Sequence, residues 1–183
     1  MRFTIGLSQY SLRALLKDGS LDALDFPKFT VDQFGINAID LWEGGLPKDK
    51  LDDPKYLAMM RKKADQAGTD LFLLMSGALD ASPKKREAST AKISASFDRA
   101  VQLGAPMVRV FLKAPGTDPV AGLQASVEAL KPLADEAAKK NLTIAIEPGA
   151  SSLSQKGAFL AEVATKLKHP ALKLMPDFGK LKD

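Results

Sequence analysis

Polar side chains recur in this sequence directly after short apolar runs, at intervals of 33, 37, 34 and 30 residues. They are Glu43, Ser76, Lys113, Glu147 and Asp177. Glu147 and Asp177 are carboxylates that follow successive runs. Two such carboxylates can bind one Mg²⁺ or Mn²⁺ ion through oxygen, or act as acid and base on a substrate held between them. The spacing therefore predicts a site for one of these two chemistries.

Six apolar runs with strand character, and five longer segments with helical spacing, must position these side chains. The runs cover residues 3–7, 38–42, 71–75, 108–112, 142–146 and 172–175. Helix starts are expected near 26–27, 53–54, 82–83, 118–119 and 151–155, and the helices are expected to end at Gly35, Gly68, Gly104, Asn141 and Pro170. Pro132 should kink the fourth helix or move its start later. Strict alternation of this kind indicates parallel strands covered on both faces.

The remaining choice is between a doubly wound open sheet and a (β/α)₈ barrel. The segment after the first run lacks the GxGxxG and GxxxxGK[ST] spacings, so a nucleotide-binding sheet is disfavoured. We predict a single domain over residues 1–183 with a parallel TIM-type barrel, incomplete at six strands and five helices, whose C-terminal units are missing. Strand ends share one rim in such a barrel, and active sites are built there. The alternative for Ser76 and Lys113 is that strand ends are polar because they meet water.

Composition excludes several classes of site. The chain has no Cys and a single His, His169, so cysteine nucleophiles, zinc-thiolate sites and multi-histidine zinc centres within one chain are ruled out. The net charge of +4 comes from dispersed Lys and Arg residues, which predicts no nucleic-acid binding. No apolar run approaches the length of a membrane span, and the N-terminus does not resemble a signal peptide. We therefore expect a cytoplasmic protein without membrane contact.

Five motifs, loose individually, occur in an order that resembles the xylose isomerase-like TIM-barrel superfamily of sugar-phosphate isomerases and epimerases. They are LSQYSL at 7–12, IDLWE at 39–43, RVF at 109–111, IEPG at 146–149 and PDFG at 176–179. The resemblance implies a divalent metal, Mn²⁺ or Mg²⁺ with Zn²⁺ as a further option, whose first two ligands are Glu147 and Asp177. It also implies that substrate oxygens complete the metal shell, and that Glu147 helps to move a proton at a sugar carbon.

The sequence also departs from this family. Relatives take a His and a Glu ligand from strands seven and eight, which this chain does not reach. Two positions often held by His or Asn in relatives are Gly149 and Lys180 here. Lys180 would place a positive charge beside the cation, which weakens metal binding or replaces the metal. His169 precedes the sixth run, on the bottom rim, where a structural role is expected. DNA-repair nucleases on the same scaffold use several histidine ligands for zinc, which one His does not supply.

The other predicted site residues would bind a sugar or sugar phosphate. Trp42 either forms an apolar wall for the sugar or belongs to the core, and Glu43 would add a polar contact. Arg109 points either into the barrel or toward the helices, and burial would oblige it to pair with a carboxylate. Gln9 and Lys113 would hydrogen-bond a polyol. The predicted function is a metal-dependent isomerase or epimerase with an incomplete site, and the alternative is a non-catalytic fragment whose open sheet edges make a homo-oligomer.

Overall fold

The computed structural model describes residues 3–182, which contain six strands and six α-helices. The strands are β1 (Gly6–Ser8), β2 (Ala38–Trp42), β3 (Asp70–Asp80), β4 (Met107–Lys113), β5 (Thr143–Glu147) and β6 (Leu172–Leu174). The helices are α1 (Arg13–Asp18), α2 (Phe26–Phe34), α3 (Pro54–Gln66), α4 (Arg86–Leu103), α5 (Pro119–Lys139) and α6 (Gly157–Leu167). The helix beyond the predicted five is α1, which shares the β1–β2 connection with α2. It has only six residues and no side-chain cap at its N-terminus, so only Gly19 after its last turn marks it.

The strands lie in one sheet in chain order, from β1 to β6. The pairs β1–β2, β2–β3, β4–β5 and β5–β6 are parallel. Consecutive parallel strands joined through helices are the arrangement of a TIM barrel. The predicted fold, a parallel TIM-type architecture with six strands, is confirmed.

Local signals fix most of the helix ends. Proline and a capping aspartate open α3 and α5, where the Asp53 and Asp118 side chains accept hydrogen bonds from backbone N–H groups at 2.9 and 3.0 Å. The backbone is left-handed at several of the predicted helix ends, which are Gly35, Gly68, Gly104 and Asn141. Pro132 lies inside α5, which begins at Pro119, so the proline does not move the start of the helix to a later residue. No helix within residues 3–182 is long and apolar enough to cross a membrane.

The chain forms two compact units. Unit 1 runs to Met75 and includes Asp98–Pro106, and unit 2 comprises Ser76–Phe97 and the residues from Met107 onward. The core of unit 1 contains fully buried side chains from α2, β2 and α3, including Phe26, Leu41 and Leu57. The core of unit 2 contains Phe97 and Leu112, which are also fully buried. Each unit thus has apolar packing of its own.

Candidate functional site

In unit 2, Glu147 is the last residue of β5 and is held by an arginine from the neighbouring strand. The Arg109 Nε atom lies 2.9 Å from Glu147 Oε2, and both side chains are less than 10 % exposed. Arg109 Nη1 also donates to the carbonyl oxygen of Ser76 at 2.7 Å, and its guanidinium lies 4.1 Å from the centre of the Phe111 ring. The structure thus answers the question that the sequence left open. Arg109 is buried, and it pairs with a carboxylate.

Lys180 occupies the space between the two predicted carboxylate ligands. Its Nζ donates a short hydrogen bond to Glu147 Oε1 and lies 3.2 Å from Asp177 Oδ2. Burial disfavours its charge, but the hydrogen bonds to Glu147 and Asp177 outweigh that effect and raise the pKa of Lys180. For Asp177, burial likewise opposes the charge, and hydrogen bonds from Lys180 and the Gly179 N–H lower its pKa. Both pKa shifts favour the charged forms of Lys180 and Asp177.

A tight turn after β6 presents this lysine. The Asp177 carbonyl accepts a hydrogen bond from the Lys180 N–H at 3.0 Å, and the Asp177 side chain accepts one from the Gly179 N–H at 2.9 Å. Asp177 therefore both shapes the turn and contacts the ammonium that the turn positions. The lysine stem passes Gly149, where a Cβ would lie only 3.0 Å from Lys180 Cδ.

The carboxylates suit a divalent cation by donor type, but their surroundings do not fit one. Glu147 already contacts Arg109 through one oxygen and Lys180 through the other. The Lys180 ammonium contacts both carboxylates, which is where a shared metal ion would bind. Within residues 3–182, no group of three or more His, Cys, Asp or Glu side chains is placed to hold a metal. With Lys180 in this position, the residues present do not fit a resident metal.

Lys113 has a carboxylate partner of its own at the end of β3. Its Nζ lies 3.1 Å from Asp80 Oδ2, and the Ser82 hydroxyl donates to the other Asp80 oxygen at 2.6 Å. Burial acts to raise the pKa of Asp80, but the hydrogen bonds from Ser82 and Lys113 lower it overall. Sequence reasoning missed Asp80 because it ended this strand at residue 75. Ser76, expected just after the strand, lies inside β3 and hydrogen-bonds the Ser96 hydroxyl at 2.7 Å.

In unit 1, three predicted site residues, Gln9, Trp42 and Glu43, lie at the ends of β1 and β2. The buried Gln9 accepts a hydrogen bond from the Trp42 N–H at 2.9 Å, and the half-buried Trp42 ring meets Tyr10 edge-on at 4.9 Å. Glu43 pairs with Arg99 Nη1 at 2.7 Å. Sequence reasoning did not identify Arg99, which is 56 residues further along the chain. Gln9, Trp42 and Tyr10 thus form one local cluster in unit 1.

Asp40 and His169 have structural contacts. Asp40 is buried in β2 and accepts hydrogen bonds from the Ser8 hydroxyl and the Gln9 N–H at 3.0 and 3.3 Å. Sequence reasoning named Asp40 only as part of a motif, although it anchors the segment that carries Gln9. His169 lies 3.3 Å from Asp135 and accepts a hydrogen bond from the Ala171 N–H at 3.2 Å. Through these contacts, His169 positions the start of β6.

Solved structures of similar fold include epimerases and a dehydratase. AsbF of Bacillus anthracis, described as a probable 3-DHS dehydratase, is 17% identical at a TM-score of 0.79, with coverage of 98% of this chain and 64% of that one. D-psicose 3-epimerase of Clostridium cellulolyticum is 13% identical at a TM-score of 0.72, with 97% and 64% covered. The 3-keto-D-glucoside 4-epimerase YcjR of E. coli is 12% identical at a TM-score of 0.67, with 87% and 64% covered. At these identities the likeness concerns the fold.

The chain spans less than two thirds of the length of each of these three proteins. No curated protein sequence matches it. The profile of the xylose isomerase-like TIM barrel family matches residues 30–181, which is most of the chain and includes β2 to β6. This match indicates the same fold as the order of the strands and the helices between them. The chain therefore belongs to the xylose isomerase-like TIM barrel family.

Proposed function

We propose that this protein acts on a small sugar or sugar phosphate as an isomerase or epimerase, and that Glu147 moves the proton. The observation that carries the proposal is the buried carboxylate of Glu147 at the carboxyl end of β5, the end of the strand at which this fold builds active sites. Two structural relatives are sugar epimerases by name, which supports the substrate class. The substrate-binding roles of Gln9, Trp42, Glu43, Arg109 and Lys113 remain predictions.

In the proposed reaction, a proton leaves the carbon beside the substrate carbonyl and passes to the Glu147 carboxylate. The C–H bonding electrons form a C=C bond to the carbonyl carbon, and the C=O π electrons move onto the oxygen, which gives an enediolate. Return of the proton to the former carbonyl carbon, together with transfer of the neighbouring hydroxyl proton to the enediolate oxygen, isomerises the sugar. Epimerisation needs protonation from the opposite face by a second, protonated acid, a role that the ionised Asp177 beside the same ammonium does not fill. Arg109 fixes the orientation of Glu147 through the 2.9 Å ion pair.

Exchange of a substrate proton for deuterium tests this proposal without knowledge of the product. The protein is incubated in D₂O with a panel of aldoses, ketoses and their phosphates, and NMR detects deuterium at carbon. Glu147→Gln should slow exchange by at least about 100-fold, because it removes the base and keeps the shape. Glu162→Gln, an exposed change of the same kind on α6, is the matched control. Addition of Mn²⁺ or Mg²⁺ to the same assay tests the predicted metal dependence.

Two results would contradict the proposal. One is exchange that is equally fast in the wild-type protein and in Glu147→Gln, because another group would then carry the proton. The other is the lack of exchange with every substrate in the panel, with and without added metal.

A second candidate is a non-catalytic chain that self-associates through the sheet edges. The observation that favours it is exposed apolar side chains beside the two outer strands of the sheet. Phe3 and Ile5, before β1, are 83% and 76% exposed, and Phe178, after β6, is 85% exposed. Open strand edges with such neighbours favour pairing with another chain. Light scattering tests this candidate, which predicts a homo-oligomer and is contradicted by a uniform 19.6 kDa monomer.

A further inference from the structure

The strongest unexplained feature of unit 2 is an ammonium group at the place where the family resemblance expects a metal ion. Lys180 Nζ contacts the Glu147 and Asp177 carboxylates at once, as a shared cation would. It also lies 4.6 Å from the centre of the Phe111 ring, whose face attracts positive charge. Two carboxylates and an aromatic face thus surround one monovalent cation that the chain itself supplies.

Gly149 provides the space for this lysine. Its φ is +124°, a region that only glycine occupies readily, so a side chain here is disfavoured whatever its size. An added Cβ would lie 3.0 Å from Lys180 Cδ and 3.7 Å from both Cβ and Cγ of the lysine. Gly149 and Lys180 are the two positions at which the sequence departs from the family pattern. The lysine stem lies in the space that a side chain at position 149 would need, so the two departures form one local arrangement.

The charges in this cluster balance without a metal. By formal charge, Arg109 and Lys180 contribute one positive charge each, and Glu147 and Asp177 contribute one negative charge each. The Glu147 side chain is only 6% exposed, so water screens its charge weakly, whereas Lys180 and Asp177 are 42% and 36% exposed and are screened more. A divalent cation added to this cluster would leave an excess of two positive charges beside the lysine. The ion would therefore have to displace Lys180 in order to bind.

We propose that the Lys180 ammonium replaces the divalent cation in this chain, and that the Glu147–Asp177 pair binds no metal while Lys180 is present. On the proposed function, Lys180 donates to the substrate oxygen as the C–H electrons move toward it, which supplies the charge stabilisation usual in such proton transfers. The proton still passes to Glu147, so the lysine keeps its own protons throughout. Metal replacement itself does not depend on the reaction and is tested separately from it.

Manganese titration followed by electron paramagnetic resonance provides the test, because bound Mn²⁺ loses the sharp signal of the free ion. The wild-type protein is compared with Lys180→Gln, which removes the charge and keeps most of the stem. Lys182→Gln is the matched control, since it removes an exposed lysine of the same turn region. Lys180→Gln should bind one Mn²⁺ per chain at least about tenfold more tightly than the wild type and Lys182→Gln, which should behave alike. Lys180→Gln/Asp177→Asn should lose this gain.

Two outcomes overturn the proposal. One is wild-type binding of one Mn²⁺ per chain as tight as that of Lys180→Gln. The other is the lack of any gain in a folded Lys180→Gln variant, with Lys180→Asn as the second substitution should the first not fold by circular dichroism. Neither result requires turnover. Failure of the deuterium exchange together with a gain in Mn²⁺ binding would refute the reaction and leave the replacement of the metal standing.

Discussion

The buried ion pair between Arg109 and Glu147 permits a quantitative prediction for Arg109→Met. Methionine replaces the aliphatic stem of the arginine and carries no charge, so the substitution removes the guanidinium, which is the partner of Glu147 Oε2. Loss of one member of a buried pair costs about 3–5 kcal/mol, because the remaining charge stays buried. Lys180 still contacts Glu147 Oε1, which limits this effect. We therefore expect the free energy of unfolding to fall by about 3 kcal/mol, at the lower end of that range.

The assay is urea unfolding at neutral pH followed by far-UV circular dichroism, with the free energy obtained by linear extrapolation. Lys131→Met is the matched control. Its ion pair with Asp135 has a similar length of 2.8 Å, but the two side chains are 64% and 44% exposed. Exposed pairs of this kind contribute less than about 1 kcal/mol. Arg109→Met should therefore destabilise the protein clearly more than Lys131→Met.

A double substitution separates the ion pair from other effects of the arginine. Arg109→Met/Glu147→Gln has no uncompensated carboxylate, so it should be less destabilised than the sum of the two single variants, by about 1–3 kcal/mol. The hydrogen bond from Arg109 to the Ser76 carbonyl is lost in both variants that lack Arg109, so its loss cancels from the interaction energy. The reasoning is refuted by an interaction energy near zero, or by a cost for Arg109→Met no larger than that of Lys131→Met.

Two further predictions concern other parts of unit 2. Gly149→Ala should lower the free energy of unfolding by about 1–3 kcal/mol in urea unfolding, because φ is +124° at this position. Gly77→Ala, with no atom within 4 Å of its added Cβ, should lower it less. Equal losses of free energy in the two variants would contradict this prediction. The pKa of Asp80 is lowered, because hydrogen bonds from Ser82 and Lys113 outweigh the effect of burial. The charged form of Asp80 therefore stabilises the fold above the unfolded-state pKa. This contribution is lost as the pH falls through the lower folded-state pKa. Asp80→Asn should therefore lower the melting temperature at about pH 7 more than at about pH 3, and a loss independent of pH would count against this account.

The sequence predicts those parts of the fold that local chemistry determines. Asp53 and Asp118, each followed by proline, open α3 and α5 at the expected positions, whereas α4 begins at Arg86 and not at the expected 82–83. Gly35 and Gly104 end helices in left-handed conformation. The predicted end of β3 at residue 75 was wrong, because the second half of the strand, Ser76–Asp80, contains serine and glycine and lacks the apolar run of the first half. Its strand conformation comes from pairing within the sheet, which no local pattern reports.

The sequence predicted the positions of Glu147 and Asp177 at the strand ends, but it predicted the partners of these carboxylates only in part. Glu147 and Asp177 each follow a strand, so chain order alone places them near each other at the strand ends. Arg109 and Lys180 reach Glu147 from positions 38 and 33 residues away, and strand register and one turn decide those contacts. The sequence anticipated that Lys180 would disturb a metal. It did not reveal that Gly149 provides the space for the lysine stem.

Trp42 gives the protein a built-in spectroscopic label. It is the only tryptophan of the chain, and its neighbours Gln9 and Tyr10 also belong to unit 1. Tryptophan emission therefore reports on unit 1, whereas far-UV circular dichroism reports on the helices and strands of both units. If the two signals follow the same urea transition, the units unfold as one cooperative system. If emission changes at a different urea concentration, each unit has its own free energy of unfolding. A substitution near Glu147 then lowers the free energy of unfolding of unit 2 alone.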